Sequence, residues 1–494
     1  MSATTFTSEF VVVARNSARN TAVRAEACRV MEASIFCALL VTTVLVVIPY
    51  GSVEPWWIAV YECSIFAIGV VWSLHAVVSG SWGVTERLWL LPTVILIAFV
   101  YVQAFSGAAF TRNLSADPYE TRLVALKATC FAINAALLFR FISSERRLRK
   151  LINTLILIAT LSAFFGIVRD TTQTGDVGFI LPYLKRGSGF AQYINKNHFA
   201  LLMEMGIGLT LGLVCGGGVR RQRVLFYTAP LALMWTALVM TISRGALVTV
   251  LGQLIFLAAT LIWSRTRKAA RRERGEGRTS YSLRPIIAIV ALITCMTIGV
   301  VVTAVSIGGD VLVTRLESLP SELQAEPESA NAGVRRREVW AATMRLIKAH
   351  PLTGNGFGAY PVAITKFHQA SGKWVPEAAH NDYLEFVAAG GAIGIALALW
   401  IMALFVLAVW RRLVHGSSLA RSYCLGALTA LLGVLIHSLF DFGIQVTANA
   451  VFFIALIVIA TTRQDHLAEY SQPNTIGLSK PIRKRRNGND FVLS

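Results

Sequence analysis

The sequence predicts an all-α, polytopic membrane bundle of about twelve spanning helices with one long external loop. Of its 494 residues, 55% are hydrophobic and only 15% are charged, which leaves too much apolar surface for soluble domains of this size. Apolar runs long enough to cross roughly 30 Å of hydrocarbon recur along the whole chain. The formal charge of +19 falls between those runs and forms no basic domain with interleaved aromatics, which argues against nucleic acid as a partner and for orientation in a lipid bilayer.

In chain order, spans are expected over residues 34–49, 56–78, 88–105, 123–142, 151–168, 199–215, 224–240, 246–263, 285–306, 384–410, 422–439 and 446–461. Positive charge in short loops marks the cytoplasmic face. The connections 143–150, 216–223, 264–284 and 411–421, and the tail with Arg483, Lys484, Arg485 and Arg486, are strongly basic and fall on one side of this arrangement. Those at 50–55, 106–120, 169–198, 241–245, 307–383 and 441–445 are poor in Lys and Arg for their length and fall on the other. Both termini are then cytoplasmic. The resulting division is a cytoplasmic N-terminal segment (1–30), spans one to nine (31–306), a long periplasmic loop (307–383), spans ten to twelve (384–462) and a basic cytoplasmic tail (463–494).

The segment before Met31 lacks a short apolar stretch followed by a small-residue cleavage site, so no removable signal peptide is expected. Seven cysteines make no CxxC pair and no metal-ligand spacing, and neither disulfide nor zinc is expected. Within the long loop, residues 332–350 have helical spacing. Val339, Met344 and Ile347 are expected to face the membrane or the bundle, with Arg335, Arg336, Arg337 and Lys348 pointing away, before Pro351 and Gly354 end the helix and Gly354, Gly356 and Gly358 make a tight turn.

Polar residues that are costly near lipid gather at the non-cytoplasmic helix ends. Tyr193, Asn195, Lys196, Asn197 and His198 precede the sixth span, either as caps or as a binding group. Arg244 lies in Thr241-Ile242-Ser243-Arg244-Gly245, a connection with almost no length to carry it into water. It is either a snorkelling side chain or a buried guanidinium that meets an anionic ligand. Arg336 and Arg337 are either a solvated helix face or more charge for that ligand. His380 is the candidate base, since imidazole exchanges protons near neutral pH, and Asp382 or Glu385 is close enough in sequence to orient it; the alternative is a satisfied structural histidine. Gly390, Gly391 and Gly394 allow close approach of another backbone. His437, Ser438 and Asp441 form a second layer around the base or cap their helix.

Read together, these segments resemble the O-antigen ligase and polymerase family of bacterial envelope glycosyltransferases, which includes WaaL-type ligases, Wzy-type polymerases and exopolysaccharide polymerases. The resemblance lies in Phe190-Ala191-Gln192-Tyr193-Ile194-Asn195-Lys196-Asn197-His198-Phe199-Ala200, in Ser243-Arg244-Gly245-Ala246, in Arg336 before Trp340, and in His350-Pro351-Leu352-Thr353-Gly354-Asn355-Gly356-Phe357-Gly358. It continues through His380-Asn381-Asp382-Tyr383-Leu384-Glu385 with the glycines that follow, and ends on His437-Ser438-Leu439-Phe440-Asp441-Phe442. It spans roughly residues 190–450; the first five spans match only as hydrophobic helices.

The resemblance implies a C-type glycosyltransferase fold in the bacterial inner membrane, an undecaprenyl-diphosphate-linked glycan as donor, a saccharide acceptor, and chemistry without metal or other cofactor. It places the family's essential groups on Arg244, Arg336 and His380 as catalytic residues. Arg337, Asn195, Asn197, Tyr193, Asp382 and Asp441 are the substrate-binding candidates. Other membrane proteins of polysaccharide assembly are candidate partners. Ligases and polymerases differ in acceptor, which no residue decides, and polymerisation of an exopolysaccharide or O-antigen is taken slightly ahead of ligation. The rival class is a transporter or flippase of lipid-linked sugars. It would place ionisable or broken-helix sites near mid-bilayer, whereas these candidates lie at one face, with Glu62, Lys127 and Glu204 as exceptions.

Overall fold

The computed structural model describes residues 3–83, 87–109, 113–175, 180–187, 189–273, 298, 336–368 and 376–462. Among the described residues there is no strand beyond an isolated antiparallel bridge between Phe190 and Tyr193. The helices are α1 (Ala3–Leu45), α2 (Pro55–Ser79), α3 (Arg87–Ala109), α4 (Pro118–Phe141), α5 (Glu145–Thr172), α6 (Lys196–Cys215), α7 (Val224–Met240), α8 (Arg244–Glu273), α9 (Arg336–Ala349), α10 (Asp382–His415), α11 (Ser418–His437) and α12 (Thr447–Thr461). Nine of the described helices are long and apolar enough to cross a membrane, and the apolar parts of α3 (Leu91–Gly107) and α12 are shorter. Every expected span but one falls on these helices. The exception, residues 285–306, lies outside the described residues apart from Ile298, as do Arg335, most of the long loop and the basic tail.

Local chemistry sets the helix ends. Residues 3–45 hold no Gly or Pro, so α1 starts far ahead of the expected span and runs through the polar N-terminal segment. Asp117 accepts from the amides of Tyr119 and Glu120, both at 3.1 Å, with Pro118 in the first turn of α4. Ser144 caps α5 through the Arg147 amide at 3.2 Å, and Ser417 caps α11 through the Ala420 amide at 3.1 Å.

The bundle has two chemically distinct ends. At one, Arg149 Nε donates to the Tyr423 hydroxyl at 3.2 Å and the Ser422 hydroxyl donates to the Gly216 carbonyl, which brings the basic connections 143–150, 216–223 and 411–421 together. At the other, the Ala448 amide donates to Gly51 O at 3.1 Å, and the Asp382 amide donates to Ser438 O at 3.0 Å. The connections poor in Lys and Arg meet there.

The centre of the core is the α6/α11 pair, which glycines bring into backbone contact. A Cβ on Gly208 would lie 2.7 Å from Ala430 Cα, and one on Gly212 would lie 2.6 Å from Gly426 Cα. Small residues four apart on facing helices allow this approach where no hydrophobic driving force separates helix from lipid.

Helix α10 is broken at Gly391, whose φ of 57° and ψ of −156° lie outside the helical region. The segment Pro351–Gly356 fills the break. Asn355 N donates to Ala388 O at 2.9 Å and Gly356 N to Ala389 O at 3.1 Å, while Ala392 N and Ile393 N donate to Pro351 O and Leu352 O at 2.9 and 3.1 Å. All four backbone groups are thus satisfied by protein, the condition for irregular backbone at membrane depth. The fully buried Gln103 of α3 locks the junction, its Nε2 donating to Thr353 O at 2.7 Å and Ala389 O at 3.0 Å. Gln103→Leu is expected to destabilise the protein by roughly 1–3 kcal/mol through the unpaired Thr353 carbonyl, read as a lower melting temperature in detergent.

α9 rests on the start of α10 through a small second core of Ala342, Leu346, Tyr360, Ala363, Ile364, Ala379 and Ala388. Its buried face is Val339, Ala342, Thr343 and Leu346, with Ile347 at the margin. Met344, expected to face the membrane or the bundle, does not join this packed face and is 44% exposed. At 100° per residue it lies beside Thr343, and the polar Thr343 takes the inner place because its hydroxyl pairs with Tyr360 Oη at 2.7 Å.

Candidate active site

His380 sits just before α10 with φ +49°, a left-handed conformation for which histidine is one of the more tolerant side chains. Four side chains hold the turn. Asn381 caps α10, its Oδ1 accepting from Tyr383 N and Leu384 N at 3.0 Å each, while its Nδ2 donates to Leu439 O at 3.1 Å. Glu385 accepts from Ala379 N at 3.0 Å and from Gln445 Nε2 at 2.8 Å. Trp340 Nε1, on α9, donates to Ala379 O at 2.9 Å. Phe442 stands edge-on to both His198 and His380, with centroid separations of 4.8 and 5.1 Å.

The carboxylate that meets His380 is Asp441, not Asp382 or Glu385. His380 Nδ1 lies 3.1 Å from Asp441 Oδ1, which also accepts from Phe442 N at 3.0 Å, while Asn197 Nδ2 donates to Asp441 Oδ2 at 2.7 Å. The Asp441 side chain is 2% exposed and that of His380 39%. Burial alone would raise the Asp441 pKa. The hydrogen bond with His380, the neighbouring His198 ring, the Phe442 amide and the Asn197 side chain outweigh it and hold this carboxyl well below the usual carboxylate range. An ionised carboxylate only accepts, so the His380 proton is assigned to Nδ1 and Nε2 is the basic nitrogen.

The remaining candidates divide into exposed and internal groups. Arg244 is exposed at the first position of α8, after a tight turn with φ +50° at Ile242. A Cβ on its neighbour Gly245 would lie 3.6 Å from Phe440 Cβ, so α8 begins against the segment that carries Asp441. Arg336 and Arg337 are exposed in the first turn of α9, one turn before Trp340. The structure therefore joins His380, Asp441 and Asn197 by hydrogen bonds and sets the three arginines at helix starts bordering the same end.

Asn195 caps α6, accepting from Asn197 N at 2.9 Å. Tyr193 is 1% exposed and donates to Asn449 Oδ1 at 3.2 Å inside the bundle, while Asn449 Nδ2 donates to His198 O and Gly443 O at 3.0 Å each. Asp382 accepts from the Ser438 hydroxyl at 2.8 Å. Of the sequence's exceptions, Lys127 of α4 donates to Gln445 O at 3.0 Å and Glu204 pairs with His437 at 2.8 Å. Sequence reasoning gave Gln103, Trp340, Phe442 and Gln445 no part in this framework, although Trp340 and Phe442 stand in the motifs quoted above.

Fold and site together define a multi-pass membrane protein with a histidine–carboxylate centre at one end of its helix bundle. Residues 229–399 match the Wzy_C family model, described as O-Antigen ligase, and this match, with the membrane-length helices, supports an O-antigen ligase or polymerase assignment and a membrane enzyme of glycan assembly. The match takes in Arg244, Arg336, Arg337, His380 and Asp382; Asn197 precedes it and Asp441 follows it. No curated protein matches the chain.

Proposed function

We propose that the chain is a metal-independent, inverting glycosyltransferase that polymerises or ligates undecaprenyl-diphosphate-linked glycans at the periplasmic face of the bacterial inner membrane, with both termini cytoplasmic and about a dozen spans. The observation that carries it is the hydrogen-bonded Asn197–Asp441–His380 array at the end of the bundle where Arg244, Arg336 and Arg337 stand. In this mechanism His380 Nε2 takes the proton of an acceptor sugar hydroxyl, and the oxygen attacks the anomeric carbon of the donor from the face opposite the diphosphate. As that bond forms, the anomeric carbon–oxygen bond to the diphosphate breaks and its electron pair leaves with undecaprenyl diphosphate. The arginines meet the anionic diphosphate with charge-assisted, bidentate hydrogen bonds and supply the positive charge that its departure requires.

Asp441 and Asn197, expected to bind substrate, act in this scheme as positioning residues: Asn197 fixes Asp441, and Asp441 fixes the tautomer and plane of His380. Asp382 and Tyr193 support the same framework from inside. The break in α10, the kind of feature a transporter would use, is filled by the protein's own backbone, which favours the enzyme over the flippase. Polymerisation is preferred to ligation, with α9 and the loop around it shaping the choice of acceptor.

Purified protein given labelled lipid-linked donor and acceptor tests the proposal, with release of undecaprenyl diphosphate and linkage inversion as readouts. Arg244→Ala is expected to lower transfer by about 10²-fold or more, and unchanged transfer would end the assignment. In a deletion strain, lipid-linked single repeats indicate a polymerase and unattached long chains a ligase. Asp441→Asn is expected to cost about 10²-fold or more in turnover by loosening the imidazole tautomer. It should also change the acid side of the stability profile. A depressed carboxyl pKa contributes stability above the unfolded value of about 3.9 that is lost as pH falls toward the folded value. Melting temperature should therefore fall less steeply below about pH 4 in Asp441→Asn than in the parent.

A further inference from the structure

Behind the site, three fully buried polar side chains from three helices converge. Glu204 of α6 is 0% exposed and its Oε1 lies 2.8 Å from His437 Nδ1 of α11, itself 1% exposed. Gln253 of α8, also 0% exposed, donates from Nε2 to Glu204 O at 3.0 Å and to Thr429 O of α11 at 3.1 Å. The fit is close enough that a Cβ on Gly433 would fall 2.2 Å from Gln253 Nε2. Each of these helices carries one part of the site at its end: Asn197 opens α6, Arg244 opens α8, and the Asp441 amide donates to His437 O at 3.1 Å where α11 finishes.

Apolar residues of similar volume would hold three helices together at least as well, since removing charge from a dry interior relieves a desolvation penalty. What apolar contacts lack is direction. A carboxylate, an imidazole and an amide accept only a few geometries, and slippage or rotation of one helix would leave their partners unpaired where no water can replace them. Resting on the glycosyltransfer reading above, we infer that Glu204, His437 and Gln253 are positioning residues that fix the mutual register of α6, α8 and α11, and with it the placement of Arg244 against the His380–Asp441 pair.

The test compares Glu204→Gln, Glu204→Leu and the double variant Glu204→Leu/His437→Leu, purified in detergent, for melting temperature, kcat and KM for donor. The single Leu variant is expected to lose stability. The double variant should regain a melting temperature at or above that of the parent and still turn over at least tenfold more slowly, with donor KM changed less than threefold. Glu204→Gln, which keeps one hydrogen bond to His437, should recover part of the rate. A double variant with parental kcat, or a kcat that follows melting temperature across the series, would overturn the inference. Should the double variant fail to fold, the same criterion applies to Gln253→Leu and Glu204→Gln. His380→Ala, run in parallel, separates the two claims: if it too retains full transfer, the glycosyltransfer reading fails; if it alone loses transfer, only the register claim does.

Discussion

His380→Ala is expected to abolish most glycan transfer, a loss of about 10²- to 10⁴-fold in kcat, in membranes that hold normal amounts of the protein. The size follows from what the site provides. A sugar hydroxyl is a poor nucleophile while it keeps its proton, and the leaving diphosphate needs no proton of its own, so the protein must supply a base beside the charge that the arginines bring to the diphosphate. The Nδ1–Asp441 hydrogen bond of 3.1 Å leaves Nε2 as the basic nitrogen, and the edge-on Phe442 ring restricts the imidazole plane. Because the base acts on the acceptor, donor binding should survive; donor KM in the variant is expected to remain within about threefold of the parent. Transfer at the parental rate would remove His380 from the chemistry.

The largest structural effect is expected at Gly391. Its φ of 57° and ψ of −156° belong to a region that side chains other than glycine scarcely enter, worth roughly 1–3 kcal/mol in backbone strain alone. A Cβ there would also lie 2.5 Å from Leu352 O and 2.6 Å from Gly354 N, both backbone atoms of the segment that fills the break. Gly391→Ala should therefore separate residues 351–356 from α10, lower the melting temperature more than Gln103→Leu does, and reduce the amount of protein in the membrane. Gly394→Ala is the control. A Cβ at that position meets only side-chain carbons at 3.6 Å and beyond, and normal yield is expected. Equal yields of the two variants would show that the junction is not rigid.

Much of the fold was legible because a bilayer imposes one rule on every span: about twenty apolar residues with their backbone groups bonded internally. Run length found the helices. Charge in the connections grouped their ends, and the structure joins the basic connections at one end through Arg149–Tyr423 and Ser422–Gly216. Helix α1 continues beyond the expected span into the polar N-terminal segment, because the residues before Met31 contain nothing that breaks a helix.

Asn195 as a cap and the glycine turn after Pro351 were readable from local chemistry. The partner of His380 was not. Asp441 lies 61 residues further along the chain, whereas Asp382 and Glu385 are neighbours, and proximity in sequence carried the wrong weight. Both nearer carboxylates are turned to other donors, Ser438 for one and Ala379 with Gln445 for the other. The break in α10 was half visible, since three clustered glycines announced close approach but gave no hint that a second backbone would complete the helix.

The small core beneath α9 shares no residue with the large one that unites the bundle. Packing under α9 can therefore change without repacking the bundle, which leaves the turn carrying Arg336 and Arg337 anchored by a patch of its own.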